Sequence, residues 1–227
     1  MSPTVHPIDF SSTPLSSSYT GFFATVIDDL LTPAECDALL EIAVKDTGDE
    51  AWRPAGLMAH ADKETVHADF RNSDRILLMD HSASEMLYNR LRPLVPEIHE
   101  IKPDGPWALV TGKAGRGRQN PTWRLARVNP RLSFLRYGPG QYFKPHCDGL
   151  NTLEEQKSFV TLHIYLNGSA TGGATRFWTP DKKHYLDVEP KVGRCLVFQQ
   201  RMLVHSGEEV TGGFKYTLRS DFMFEQV

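Results

Sequence analysis

From residue 126 onward the chain divides into short segments, LSFLRY, SFVTLHIYL, ATRFW, YLDVE, RCLVFQ and KYTLRSDFMF, each rich in β-branched or aromatic residues. Turn signals such as Gly138-Pro139-Gly140 and Gly172-Gly173 separate them. Six or more short strands at this spacing bury enough surface only as a closed or face-to-face antiparallel arrangement: a sandwich, a barrel or a jelly roll. The first half reads differently. FFATVID alternates like a strand and leads into LLTPAECDALLEIAV, where Thr32 at the N-cap, Pro33 at N1 and Glu35 at N3 form a capping box. Leu39, Leu40 and Ala43 then share one helical face. A second box, Ser82 with Glu85, heads EMLYNRLRPLV, with Leu87, Leu91 and Leu94 at helical spacing. The expected organisation is a flexible arm over 1–19, rich in Ser, Thr and Pro, followed by one domain over 20–227. Within it a helical layer covers about 20–125 and a β core about 126–227. The expected fold class is α+β, with N-terminal helices packed on a β core that is a sandwich, a barrel or a jelly roll.

Composition narrows the function classes. With 40% hydrophobic and 23% charged residues the chain can fill a core, so wholesale disorder is excluded. No run of eighteen apolar residues and no cationic start with an apolar stretch behind it are present, which predicts a cytoplasmic protein without membrane contact. Cys36, Cys147 and Cys195 cannot all pair and show no CxxC, consistent with a reducing compartment. Cys147 is expected to pack away from its neighbours' face, and Cys195 in the core. The net charge is −3 but segregated: positions 105–147 hold no acid and eight basic residues, Lys113, Arg116, Arg118, Arg124, Arg127, Arg131, Arg136 and Lys144. Removing those eight leaves −11 for the rest of the chain. The block reads either as a solvated basic surface or as a site for an anion.

The chemistry sits at His146 and Asp148, two apart after a Tyr142-Phe143 strand, so that imidazole and carboxylate project to one face about 6.5–7 Å apart along the chain. His205 follows the RCLVFQ strand. Two histidines and one carboxylate are the facial triad of non-haem iron sites, which leaves three metal positions open. His60-Asp62 and His67-Asp69 repeat the HxD spacing in a polar stretch without strand pattern, and read as exposed loop residues.

The surrounding motifs carry a resemblance. Arg136-Tyr137, Gly140, Phe143, His146 and Asp148, then Tyr165-Leu166-Asn167, Gly172-Gly173, Thr175 and Phe177, then His205, Lys215 and Tyr216 are similar, in order, to the prolyl 4-hydroxylase-like branch of the Fe(II)/2-oxoglutarate dioxygenases. The likeness runs over about 132–224, with Ala174 standing where many members carry an acid. It implies a double-stranded β-helix (jelly roll) with the N-terminal helices packed on one sheet, with Fe(II) held by His146, Asp148 and His205, and a reaction using O₂ and 2-oxoglutarate that yields succinate and CO₂, with ascorbate as a candidate reductant. It implies that Lys215 pairs with the distal carboxylate of 2-oxoglutarate, and physics agrees, because an anion buried without a cation is prohibitively desolvated. Tyr137 and Tyr165 match positions that hydrogen-bond the cosubstrate.

Strand alternation extends this site. His163 shares a face with Thr161 and Tyr165, and Thr217, Arg219 and Asp221 share a face with Lys215. His163 and Thr217 are therefore further cosubstrate candidates. Arg219 and Asp221 read either as a buried ion pair or as substrate contacts. Arg71, Arg75, Arg124 and Arg131 are candidates for the mouth, as is Asn129. The leading function is oxidation of an unactivated C–H in a small anionic metabolite, such as an amino acid or a natural-product intermediate. Protein prolyl 4-hydroxylation is the alternative. An AlkB-like nucleic-acid demethylase is weaker, because the strand reads Lys215-x-Thr217-x-Arg219 where that family shows R-x-N-x-T-x-R. A non-enzymatic metal-binding barrel is weaker still.

Overall fold

The computed structural model describes residues 2–45, 48–60, 63–112 and 121–227. In chain order its main elements begin with β1 (Thr4–Pro7), β2 (Ala24–Asp28), α1 (Pro33–Val44), β3 (Arg53–Pro54), β4 (Arg71–Asn72), β5 (Asp74–Met79) and α2 (His81–Leu91). They continue with β6 (Trp123–Val128), β7 (Arg131–Tyr137), β8 (Tyr142–His146), β9 (Gln156–Tyr165), β10 (Thr175–Trp178), β11 (Tyr185–Val188), β12 (Cys195–Gln199), β13 (His205–Gly207) and β14 (Lys215–Gln226). The larger sheet runs β1-β2-β12-β9-β14-β7-β5-β3, all antiparallel, with β6 paired to the end of β14. The smaller sheet runs β11-β10-β13-β8-β4. This is the expected jelly roll in an α+β fold.

Alternation on the larger sheet separates two environments. Leu132 and Phe134 on β7, Leu162 and Ile164 on β9, and Leu218 and Phe222 on β14 join Leu39, Leu87 and Leu91 of the two helices in one apolar cluster. Each such side chain contributes roughly 1.5–3 kcal/mol by leaving water. The opposite face looks toward the smaller sheet. There Phe177 packs on Phe198, with ring centroids 5.4 Å apart, and Phe10, Leu15 and Tyr19 complete the cluster.

Those last three residues correct the expected flexible arm. Residues 4–7 form the edge strand beside β2, and Phe10, Leu15 and Tyr19 are buried. Tyr19 Oη donates to the Trp178 carbonyl (2.7 Å) and accepts from the Val204 amide (3.3 Å). Aromatic anchors interleaved with serines gave this segment something to bury, which its overall polarity concealed. The helical layer over 20–125 is corrected too: among its described residues there are two helices longer than one turn, and β2, β3 and β5 from this stretch join the larger sheet.

The Thr32 capping box forms as expected, with Glu35 Oε2 accepting from the Thr32 amide at 2.9 Å. The second box does not. Asp80 caps α2 by accepting from the Ala83 amide at 2.9 Å, which places Ser82 inside the first turn. An ionised carboxylate two residues earlier is the better partner for free amides at a positive helix end.

Candidate active site

His146 ends β8 and His205 begins β13, and the two are directly paired across the smaller sheet, with a bulge between Phe143 and His146. Asp148 follows two residues after β8. The three ligand atoms lie within 4.8 Å of one another, and this is the group of His, Cys, Asp or Glu residues that can hold a metal among the described residues. Asp148 Oδ1 is 3.8 Å from His146 Nε2, and its Oδ2 is 3.7 Å from His205 Nε2. Each imidazole is oriented from behind: Nδ1 of His146 meets the Lys144 carbonyl at 2.8 Å and Nδ1 of His205 meets the Leu203 carbonyl at 3.1 Å. A carbonyl only accepts, so each Nδ1 carries the proton and each Nε2 lone pair points at the shared centre. Burial, and then His205, push His146 down to about 3, and burial lowers His205. Burial thus favours the neutral form of both rings, the form that a metal cation requires.

Asp148 is positioned as firmly. Thr161 Oγ1 donates to its Oδ2 at 2.6 Å, and Arg219 Nη2 lies 3.2 Å from its Oδ1. Burial works to raise this carboxyl, but Arg219, His205 and His146 outweigh it and hold it well below the usual range. Arg219 Nη2 also lies 3.2 Å from Asp221 Oδ1. Burial raises Asp221 despite that partner. Its oxygens accept from Gln200 Nε2 and Asn151 Nδ2, both at 2.7 Å. Asn151 and Gln200 follow metal-site and strand segments without a motif of their own, and only the fold brings both onto Asp221, 70 and 21 residues away in the chain.

The triad opens into a cavity of about 610 Å³. Lys215, almost fully buried, lies at one end. Its Nζ donates to the Gly173 carbonyl at 2.6 Å and sits 5.2 Å from the Tyr137 ring and 5.5 Å from the Tyr165 ring. Burial pushes it down to about 8. Gly173 has φ +73°, and a Cβ there would meet Lys215 Cδ at 3.0 Å and Val210 Cγ2 at 2.9 Å, so only glycine lets the lysine lie flat. Between Lys215 and the triad, Nε2 of His163 is buried with no hydrogen-bond partner among the described residues. Oγ1 of Thr217 is likewise buried and unpartnered among them. A buried cation with two orphaned polar atoms near it fits an anionic ligand with oxygen acceptors.

Tyr137, His163 and Lys215 line the cavity, as do Arg71, Arg75, Arg131 and Arg219. Tyr165 and Thr217 lie behind that lining: Tyr165 is fully buried and its hydroxyl donates to Thr175 Oγ1 at 2.7 Å. Three expectations are corrected. Arg124 lies away from the mouth, on β6, where it pairs with Glu225 at 2.7 Å. Asp221 is the buried ion-pair partner beneath Arg219 rather than a cavity residue. Cys147 is exposed and lines the cavity, because β8 ends at His146 and strand alternation no longer applies beyond it. Asn129 is structural: its side chain accepts from the Arg131 amide at 3.0 Å and its carbonyl from Ser220 Oγ at 2.7 Å.

The basic block disperses. Arg127 pairs with Glu154, and Arg136 with Asp74, while Arg131 reaches the cavity. Lys113, Arg116 and Arg118 lie outside the described residues. Of the other HxD pairs, His67 and Asp69 are exposed, and Asp62 lies outside the described residues.

Residues 132–220 match the family model described as the 2OG-Fe(II) oxygenase superfamily. No curated protein matches the chain in sequence. Among solved structures, the chain resembles a viral collagen prolyl hydroxylase from Paramecium bursaria Chlorella virus-1, in complex with 2OG, at 22% identity over 89% of this chain and 96% of that one (TM-score 0.52). It also resembles a Pseudomonas putida prolyl-4-hydroxylase at 16% identity, covering 94% of each chain (TM-score 0.57). A third is a prolyl hydroxylase from Trichoplax adhaerens, in complex with a hypoxia inducible factor oxygen degradation domain peptide fragment, at 14% identity over 88% and 82% (TM-score 0.57).

Proposed function

Residues 132–220 are a 2OG-Fe(II) oxygenase domain, and from that premise we propose that the enzyme oxidises an unactivated C–H of a small anionic substrate. Its class, a 2-oxoglutarate-dependent dioxygenase using Fe(II), 2-oxoglutarate and O₂, follows from the domain together with the His-Asp-His group. The substrate reading rests on one observation. Among the described residues the cavity lining holds Arg71, Arg75, Arg131, Lys215 and Arg219 together with the carboxylate of Asp148. An Fe(II) ion and a 2-oxoglutarate dianion offset one another, which leaves Arg71 buried, its Nε without a hydrogen-bond partner among the described residues and its charge opposed by burial and by Arg75 and Arg219. A further anion relieves that repulsion.

In this reading His146, Asp148 and His205 hold Fe(II), which when bound supplies the O₂ activation that side chains cannot. Lys215 neutralises the distal carboxylate of 2-oxoglutarate and His163 Nε2 faces its oxygens, with Thr217 behind them. Tyr137 and Tyr165 enclose the lysine, exclude water and strengthen that ion pair. Arg219 steadies Asp148 from behind. Arg71, Arg75 and Arg131 meet the substrate.

Protein prolyl hydroxylation has support of its own, since the three structures above are prolyl hydroxylases and one holds a peptide. The pairing of Arg124, Arg127 and Arg136 with carboxylates, among the described residues of the basic block, argues against nucleic acid. No helix among the described residues is long and apolar enough to cross a membrane. The test is succinate formation with Fe(II), 2-oxoglutarate and O₂ against two panels, small carboxylates and proline-containing peptides. Stimulation by the carboxylates alone supports the proposal, and stimulation by the peptides alone sinks it.

A further inference from the structure

The larger sheet continues past the cavity on the same face. β5 alternates, with Ile76 and Leu78 turned to the helix-side core and Arg75, Leu77 and Met79 turned the other way. Arg75 lines the cavity, Leu77 is paired with Ser133 and Met79 with Arg131, and both partners line the cavity too. Yet Leu77 is 41% exposed and Met79 57%, and Leu150 at the rim is 37% exposed. The smaller sheet, which covers this face farther along, does not cover this end. Apolar side chains left in water at the mouth of a functional cavity are the mark of a ligand-binding groove.

Arg71 lies where that groove meets the triad. It is 9% exposed, and its Nε has no hydrogen-bond partner among the described residues. Its Nη1 makes a long hydrogen bond, 3.5 Å, to the Gly56 carbonyl. The guanidinium sits 4.7 Å above the Phe143 ring, which stacks on His146 at 3.7 Å. Burial, Arg75 and Arg219 all weigh against its charge. A buried guanidinium one ring from the metal ligand, crowded by like charge and short of acceptors, matches a carboxylate in the forked geometry that arginine favours.

We propose that Arg71 and Arg75 bind the carboxylate of an amphipathic acid whose apolar chain runs over Leu77, Met79 and Leu150. This deepens the substrate reading above and rests on it. Residues two apart on a strand lie about 6.5–7 Å apart, so the groove from Arg75 to Met79 spans roughly 13 Å. It holds a chain, not a compact metabolite.

The experiment is calorimetric and needs no turnover. The whole chain, loaded with Mn(II) and saturating 2-oxoglutarate without O₂, is titrated with n-alkanoates from butanoate to octanoate and with the matched amides. The acids are ionised at pH 7. The expected result is that each added methylene tightens alkanoate binding about threefold to fourfold, and that each amide binds at least tenfold more weakly than its acid. Arg71→Met loses at least tenfold toward octanoate while 2-oxoglutarate affinity changes less than twofold. Removing a buried group with an unpartnered nitrogen does not threaten folding. The double variant Leu77→Asn, Met79→Asn flattens the chain-length dependence and leaves butanoate unaffected. Equal binding of octanoate and octanamide to the wild-type protein overturns the proposal without any variant. So does an Arg71→Met protein that loses 2-oxoglutarate as much as octanoate, since the arginine would then serve the cosubstrate. If 2-oxoglutarate itself does not bind the metal-loaded wild type, the underlying enzyme reading fails, and that outcome is distinct from the others.

Discussion

The two faces of β14 and β9 differ more than any two ends of the molecule. On one face Leu162, Ile164, Leu218 and Phe222 are fully buried among helix side chains. On the other, one residue along, stand Lys215, Thr217, Arg219, Asp221, Thr161 and His163. This second face holds a cation whose proton affinity burial depresses, two orphaned polar atoms and an arginine shared by two carboxylates. The same backbone ladder carries both. The difference teaches that the helix-side face supplies stability while the cavity face subtracts from it, so the two can be broken separately.

The largest expected effect is on the cavity face. His146→Ala removes a metal ligand and is expected to cut succinate formation by more than about 100-fold, since even outer groups that only orient ligands are worth 10–100-fold. Its thermal midpoint should move little, and a collapse of the fold would break the comparison. Phe222→Ala does the reverse. It empties the helix-side core and should cost about 3–5 kcal/mol in denaturant melts, with 2-oxoglutarate affinity nearly unchanged in the folded protein. Lys215→Met is next. It strips a buried partner from an anion, at about 2–5 kcal/mol, so the 2-oxoglutarate Kd rises at least about 30-fold. The metal-free, ligand-free protein should be no less stable, because a desolvated cation has gone. A loss of apo stability comparable to that of Phe222→Ala would show that the cavity face is also structural.

The pH profile sharpens the same point. Lys215 is held at about 8, below the ordinary lysine range, by burial, against Glu189 and Glu208 which favour its charge. It is protonated below that value and neutral above it. Affinity for the 2-oxoglutarate dianion should be flat below pH 8 and fall up to tenfold per unit above it, as read by calorimetry between pH 6.5 and 9.5. Lys215→Arg should remove that fall, because arginine keeps its charge. The smallest effect is Arg124→Ala, which breaks an exposed pair with Glu225 and should change stability by less than about 1 kcal/mol with no change in ligand binding.

Much of this was legible in the chain. Alternation with period two assigned Lys215, Thr217, Arg219 and Asp221 to one face before any pairing was known. The turn-separated strands predicted an antiparallel β core, which the motif resemblance narrowed to a jelly roll, and Thr32 with Glu35 announced α1. Each of these signals is local, complete within a dozen residues. The failures are also physical. Ser82 lost to Asp80 because two acceptable caps stood two residues apart. The arm was read from its polarity, although three large side chains in it had a hydrophobic space to fill.

What the sequence by itself determined is therefore the face each strand residue takes and the identity of the metal-binding types, because backbone geometry imposes those locally. What only the tertiary structure decided is which faces meet. Arg71 and Arg124 are the same residue type in polar surroundings, yet pairing β4 to β8 sets Arg71 above Phe143, and pairing β6 to β14 sets Arg124 against Glu225 in solvent. Those pairings join residues some seventy to a hundred positions apart. They are set by the burial of the whole core, and no window along the chain contains that sum.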